Sequence, residues 1–512
     1  RFVHRFFRIL GGIALWSLIG TVVLFIAVLI AFQFRGVQEA APRLVFGILE
    51  RKFGVRMTAS RAEVGLLARL KVYDYTWWDL QGDTLIHVDY AMSSLRFIGR
   101  GGKLLSLGHT EGRGALINIV SDSAGVLNIK AAAELFQNRA KPKDTSSLPF
   151  NLTISSVALR DVEVRVKTGS QEGKEGIFDP HNIDFRHINA EASNLYVLGA
   201  AVRMRLFGIS LREASGFEVR DLGCLMALDS THMHFNDLEV TTPYSRLHLP
   251  WLHFDYHGWR AMSRFIDSVR MDIRVQPSRF NAREVGYFAP LPAEAAIPCD
   301  LSLRYRGKLS DFRVDTARIA LPDGTRMVLN AGLVGLPNWR STVLSVSIDS
   351  LQTSPAGIES LASRFAGKPI LLRQYLKGVA SLHYRGEIVG FLDDFVAFGT
   401  LTSNIGKVGT DLSLAYNAQG HVRFKGRVAT ESLDIGKLAG SSQLGTTSLD
   451  ASIDGSFDRK KGLDSKLSAK IHHLSLLGYS YRGIEAEGQL TSTSYSGTLR
   501  VADSALRLAF NG

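Results

Sequence analysis

Cysteine is almost missing from this sequence: Cys224 and Cys299 are the only two in 512 residues. Two cysteines so far apart make neither a zinc framework nor a disulfide scaffold, and they read as two free thiols. Proline is scarce at 14, while glycine reaches 48, a balance that suits many short strands joined by tight turns. There is no long run of lysine or arginine, and aromatic residues do not interleave with a basic stripe. The net charge of +12 reads either as a mildly basic solvated surface or as one that meets an anionic membrane, and the case for nucleic acid is weak. G-x-S-x-G, H-E-x-x-H and Walker sequences are absent, so no nucleophile elbow, zinc protease helix or nucleotide loop is expected. The glycine-rich basic stretch Gly99 to Lys103 lacks phosphate-loop spacing and reads as a turn. His232 and His234 would share one strand face, with His248, His253 and His257 nearby. No carboxylate or thiolate is arranged with them and Pro250 interrupts the run, so no metal site is expected. His472 and His473 would point to opposite faces, and Asp393-Asp394 is a turn. The expectation is a protein without catalytic residues, metal or cofactor.

Charge is also missing from Ile9 to Phe32. As a helix this run would reach about 36 Å, beyond the ~30 Å hydrocarbon core of a bilayer. It exceeds the apolar region of a cleaved signal peptide, and the reading is an uncleaved transmembrane anchor. Arg1, Arg5 and Arg8 precede it and only Arg35 follows closely, which places the N-terminus in the cytoplasm and the remainder outside. Val37, Leu44, Ile48, Leu49 and Phe53 then recur at helical spacing, and Gly54 is a fitting residue to end a helix. This amphipathic helix is expected to pack on the sheet that follows rather than lie on the membrane.

Beyond Gly54 the period is two. Asp79 to Leu85 reads as strand, turn, strand, with a further turn at Asp122 to Gly125 and a brief helix at Ala131 to Asn138. The polar stretch Arg139 to Ser147 reads as a linker. The expected organisation is 1–35, tail and anchor; 36–138, helix and first β-segment; 139–147, linker; and 148–512, a repetitive β-body. Leu449, Ala451, Ile453 and Phe457 alternate with Ser448, Asp450, Ser452, Asp454 and Ser456. The same alternation carries Leu301, Leu303 and Tyr305; Val422, Phe424 and Val428; Leu463, Leu467, Ala469 and Ile471; Leu499 and Val501; and Leu506, Leu508 and Phe510. Short helices are expected at Ser354-Pro355 to Gly367, Asn281 to Phe288 and Ser432 to Gly440. Strict one-sided alternation over many strands implies sheets with one apolar face. A body longer than one core sustains suggests an extended stack of strands. The first residue is Arg1 and the last residues stop within an alternating pattern, as expected of part of a larger protein.

The order of these features resembles the N-terminal part of TamB-like proteins, the translocation and assembly module of the AsmA-like superfamily, most closely its Bacteroidetes branch. A basic tail, one anchor and a helix closing on Lys52-Phe53-Gly54-Val55 lead into the hairpin Gly82-Asp83-Thr84-Leu85. Further similar stretches are Phe178-Asp179-Pro180 to Leu195, Thr242-Pro243-Tyr244-Ser245-Arg246-Leu247, Gly286-Tyr287-Phe288-Ala289-Pro290 and Asp394-Phe395-Val396-Ala397-Phe398-Gly399-Thr400-Leu401. The resemblance implies a mostly β protein whose long sheet folds into an open groove behind a single inner-membrane helix, with its body in the periplasm. It implies a role in envelope biogenesis with phospholipid and the inner membrane as partners: moving phospholipid between the membranes, or helping a BamA-like outer-membrane protein assemble other proteins. That second partner would act through a C-terminal region not present here. Under this reading Val422, Phe424, Leu449, Ala451, Ile453, Phe457, Leu467, Ile471, Leu499, Val501, Leu506, Leu508 and Phe510 line the groove. The rival classes are a filled structural β-solenoid and an extracytoplasmic hydrolase.

Overall fold

The computed structural model describes residues 30–65, 68–99, 104–121, 127–129, 151–168, 176–179, 181–258, 261, 264–288, 296–338, 341–366, 369–391, 393–417, 421–458 and 462–512. The protein is mostly β, with one long mixed sheet and few helices. Its contacts divide it into two compact units, one of residues 1–230, 234–243 and 287–289, the other of 231–233, 244–286 and 290–512. Among the described residues no helix is long and apolar enough to cross a membrane. The run Ile9 to Phe32 lies outside the described residues except for its last three, as do the expected turn at 122–125, the helix at 131–138 and the linker at 139–147.

The first unit opens with helix α1 (Arg35–Phe53). It stops where Gly54 turns left-handed, with φ +72°, and its N–H caps the Glu50 carbonyl. α1 packs on β1 (Met57–Thr58) and β2 (Arg61–Gly65). Both strands pair with β3 (Arg69–Trp78), which turns tightly into β4 (Thr84–Ile98). That turn is fixed by Asp79, whose carboxylate accepts the N–H groups of Gln81 and Asp83. Buried Asn128 ties the turn to the next strand, donating to Asp79 Oδ2 at 3.1 Å and to the Asn118 carbonyl. β4 pairs with β5 (Leu104–Val120), which runs parallel to β6 (Asn151–Lys167). β7 (Asn182–Leu198) and β8 (Ala201–Glu213) follow antiparallel, and β8 is shared by β9 (Glu218–Val219) and β10 (Asp221–Leu228). β11 is His232–Thr241.

The second unit is an antiparallel run in which each strand pairs with the next, save that the short β24 (Tyr479–Tyr481) and β25 (Ile484–Thr491) both pair with β23 (Gly462–Leu476). It begins with β12 (Arg246–Asp255), the short helix α2 (Phe265–Ser268), β13 (Arg270–Asn281), β14 (Pro298–Lys308), β15 (Asp311–Ala320) and β16 (Arg326–Val334). β17 (Val343–Thr353), helix α3 (Pro355–Ala366), β18 (Leu382–Phe391), β19 (Asp394–Ser403), β20 (Gly406–Tyr416) and β21 (Val422–Asp434) come next. It closes with helix α4 (Ile435–Ala439), β22 (Leu444–Asp458), β23 (Gly462–Leu476), β24 (Tyr479–Tyr481), β25 (Ile484–Thr491), β26 (Tyr495–Ala502) and β27 (Arg507–Asn511). The expected helix after Ser354 is α3, with Ser354 Oγ accepting the Gly357 N–H. The expected segment at Asn281 to Phe288 is a 3₁₀ turn over Ala282–Tyr287. Ser432 to Asp434 remain in β21, so the last helix is shorter than the sequence suggests and starts on the Asp434 cap.

The buried core is small. Tyr256, Ala261, Val269 and Met271 form a cluster under α2, joined by Met233, Phe254, Phe265, Ile273, Tyr305 and Leu309. Only twenty hydrophobic side chains are buried among the described residues. Register shifts recur from strand to strand, at Val275/Ser278, Ser302/Arg304, Val314/Ala317, Val328/Leu329 and Ile348/Leu351. Bulges bend the strand that carries them, so bulges at similar levels in neighbouring strands crease the sheet along a line.

Candidate functional site

Strand register gathers the alternating residues into rows. One row runs Leu252, Ile273, Tyr305, Val314, Ala331, Val346, Ile388, Ala397, Leu412, Gly426, Ile453, Leu467, Gly488 and Gly497, one residue from each of fourteen strands. No member is charged. All fourteen are half-buried, neither sealed under a second layer nor fully open to water. In a sandwich, such a face would be closed by an opposing sheet and its side chains buried. Two residues along the strands, a second row repeats the character, with Phe312, Leu333, Leu344, Phe395, Leu414 and Phe424 among its members.

The sequence-predicted residues fall into these rows with one exception. Ile453 lies opposite Leu467; Ala451 opposite Val428 and Ala469; Leu449 opposite Ile471; and Val422 opposite Phe457. Through β25, Ala469 leads to Ala486 and then Leu499, and Ile471 leads to Ile484 and then Val501. Phe510 and Leu508 complete these two rows on β27. Val501 is buried, whereas Phe457, Leu508 and Phe510 are exposed, the last two because β27 has its only described partner on one side. Leu506 is the exception: it belongs to the turn before β27, where its carbonyl accepts the Asp503 N–H. The alternation read at Leu301, Leu303 and Tyr305 reaches the row through Tyr305, but its members Ile388, Val346 and Val314 were not among the expected groove residues, although alternation in β18 and β19 carries the same signal.

The opposite face is mostly polar, with Val389 and Val396 as exposed apolar members. A row one residue over reads Ser345, Val389, Val396, Ser413, Lys425, Asp454, Lys466 and Gln489. Lys425 and Asp454 pair at 2.9 Å, Arg306 and Asp315 at 2.5 Å, and Arg304 and Asp272 at 3.0 Å. A hollow of about 580 Å³ there is lined largely by polar and charged side chains, including Arg427, Ser452, Lys466 and Glu487.

Tyrosines pave parts of the apolar face. Tyr384 reaches over Gly386 and Gly399, which are cross-strand partners, and donates to the Phe398 carbonyl. A β-carbon at Gly399 would stand 2.7 Å from that hydroxyl and 2.5 Å from the Arg385 carbonyl. Tyr495 repeats the arrangement beside Gly497 and donates to the Thr498 carbonyl. Tyr305 stacks on Phe312 and donates to Lys308; burial pushes its hydroxyl up to about 12. All three rings present apolar faces while their hydroxyls are spent on backbone.

No comparison with protein-family models, curated proteins or solved structures found a match.

Among the described residues no group of three or more histidine, cysteine or acidic side chains is placed to hold a metal. His253 stacks on Trp251 at 3.7 Å, and His232 meets Thr231 Oγ1 at 2.8 Å. Both cysteines are free, and burial pushes the Cys224 thiol up to about 11, away from the reactive thiolate.

Proposed function

We propose that this chain is a membrane-anchored periplasmic carrier of phospholipid in bacterial envelope biogenesis, of the TamB-like kind, and that its half-buried face is an open groove for acyl chains. The observation that supports the reading is the uncharged row that continues across fourteen strands with every member half-buried. Hiding a methylene from water is worth about 0.8 kcal/mol, so a sixteen-carbon chain leaving a bilayer faces a penalty on the order of 10 kcal/mol. A surface that is apolar at each strand offsets that penalty at every position, and one without convergent polar groups holds a lipid at none of them. Headgroups would remain in water beyond the groove. The uncharged run Ile9 to Phe32 supplies the inner-membrane anchor in this reading, with the N-terminus cytoplasmic.

Photo-crosslinking residues placed singly at Ile388, Leu412 and Ile453 test it in the intact protein in cells. Phospholipid adducts are expected at all three and not at Ser413 or Lys425 on the opposite face. Adducts to nascent outer-membrane proteins instead would favour assembly of a BamA-like partner's clients, and no adducts would leave a structural β-solenoid. Ile453→Asp should keep the protein folded and lower lipid movement between reconstituted membranes several-fold. A folded Ile453→Asp protein that moves lipid normally would remove the carrier reading.

A further inference from the structure

Helix α1 is amphipathic twice over. At about 100° per residue, Pro42, Phe46, Leu49 and Phe53 share one side. Pro42 is buried, and Phe46 meets the Tyr75 ring at 5.8 Å, so this side is the one packed on the sheet. Leu44 and Ile48 lie on the other side and Val45 on the flank beside them, and the three are 67%, 49% and 50% exposed in that order. On one short helix, three adjacent large apolar side chains in water are a patch that calls for a cover.

We propose that this outward side of α1 lies in the headgroup layer of an anionic phospholipid bilayer, which makes the helix an interfacial collar where the β-body leaves the membrane. The inference rests on reading Ile9 to Phe32 as a membrane span. Three features point to lipid rather than to a protein. The helix begins at Arg35, three residues after the uncharged run ends, so its outward side starts at the depth where that run would leave the hydrocarbon. Exposed Phe34 sits at the junction. The charges complete the pattern: Arg51 and Lys52 stand one turn beyond Ile48 and two beyond Leu44, as expected for contacts to anionic headgroups. Both acids of the helix, Glu39 and Glu50, fall on the far side of the wheel, and Glu39 is engaged by Arg35 at 3.1 Å. The sequence alone favoured simple packing on the sheet; the structure shows that packing uses only half of the helix.

The experiment uses the full chain in vesicles of phosphatidylethanolamine and phosphatidylglycerol. Cys224 and Cys299 are replaced by alanine, and an environment-sensitive fluorophore is attached to Val45→Cys or Ile48→Cys. Expected are a blue-shifted emission and strong quenching by lipids brominated near the headgroup, with little quenching of the same fluorophore at Arg43→Cys on the helix flank. Water-like emission at positions 45 and 48 overturns the inference. So does a blue shift without lipid quenching, which would mean that protein covers the stripe. Carbonate-resistant flotation of the wild-type chain reports the span separately: loss of flotation removes the anchor and this inference together, whereas flotation without quenching removes only the inference.

Discussion

At the scale of single residues, the bends of this sheet depend on amides that leave the ladder. Thr316, Ser432 and Asp161 have φ near +50°, a conformation L-residues seldom adopt. Each is stabilised by a neighbour's side chain: Asn330 Oδ1 accepts the Thr316 N–H at 2.8 Å, Ser448 Oγ accepts that of Ser432 at 3.1 Å, and Asn189 Oδ1 accepts that of Asp161 at 3.2 Å. Removing such an acceptor should cost about 1 kcal/mol. Urea unfolding of Asn330→Ala and Ser448→Ala is expected to show losses of that order. Gly399→Ala should cost more, roughly 1–3 kcal/mol, because its methyl would meet the Arg385 carbonyl and the Tyr384 hydroxyl at distances that force backbone to move. No feature of the sequence marked Asn330 or Ser448, since their role depends on which residue stands opposite.

Among elements, the ends are held by polar side chains with specific charge states. Asp503 lies in the turn between β26 and β27, where it accepts the N–H of Ala505, the Tyr479 hydroxyl and the N–H of Arg482. These hydrogen bonds, that from Ala505 foremost, hold its carboxyl below the usual range. A lowered folded pKa means that the stabilisation is complete above the unfolded value of about 3.9 and is lost as pH falls through the folded value. Asp503→Asn is therefore expected to be less stable than wild type at neutral pH, and the difference should shrink below pH ~4 in thermal melts. Glu359 on α3 is held low in the same sense, by the N–H of Arg373 first. Helix ends on glycine and the start of α3 on Ser354 were legible, because caps are local chemistry. Gly54 closes α1, Ser354 opens α3 and Gly440 closes α4, whereas the start of α4 was expected at Ser432 and lies instead on Asp434, which accepts the Lys437 N–H at 3.0 Å. Helix α2 was not legible, since four residues give no period to read.

For the molecule as a whole, the decisive property is that the two faces of the sheet differ in chemical character, and the proposed carrier function assigns transport to one of them. Charge on the polar face is solvated, and exposed ion pairs contribute about 0–1 kcal/mol. Lys425→Gln, which breaks the 2.9 Å pair with Asp454, is expected to change stability by less than ~1 kcal/mol and to leave lipid movement unchanged. Ile453, one row away on the other face, is expected to show the opposite sensitivity: little change in folding and a large change in transport. Measuring melting temperature and lipid transfer on both variants checks the assignment, and equal effects from the two would mean that the faces are not distinct.

The sequence by itself determined the β class, the hairpin at Asp79 to Leu85, the ends of α1 and α4 and the start of α3, and the apolar side of several strands, because alternation and capping are properties of a few consecutive residues. It also determined that Ile453, Leu467, Leu449 and Ile471 share a face, since a strand's side chains alternate with period two. The structure alone decided which strands stand side by side, and hence that Ile453 and Leu467 belong to a row reaching back to Leu252. It decided that Leu506 leaves the strand, that the row through Ile453 stays half-buried along its whole length, and that α1 keeps a second apolar side uncovered. Burial depends on what lies across from a side chain, and pairing on contacts between distant segments; neither is written in any local run of residues.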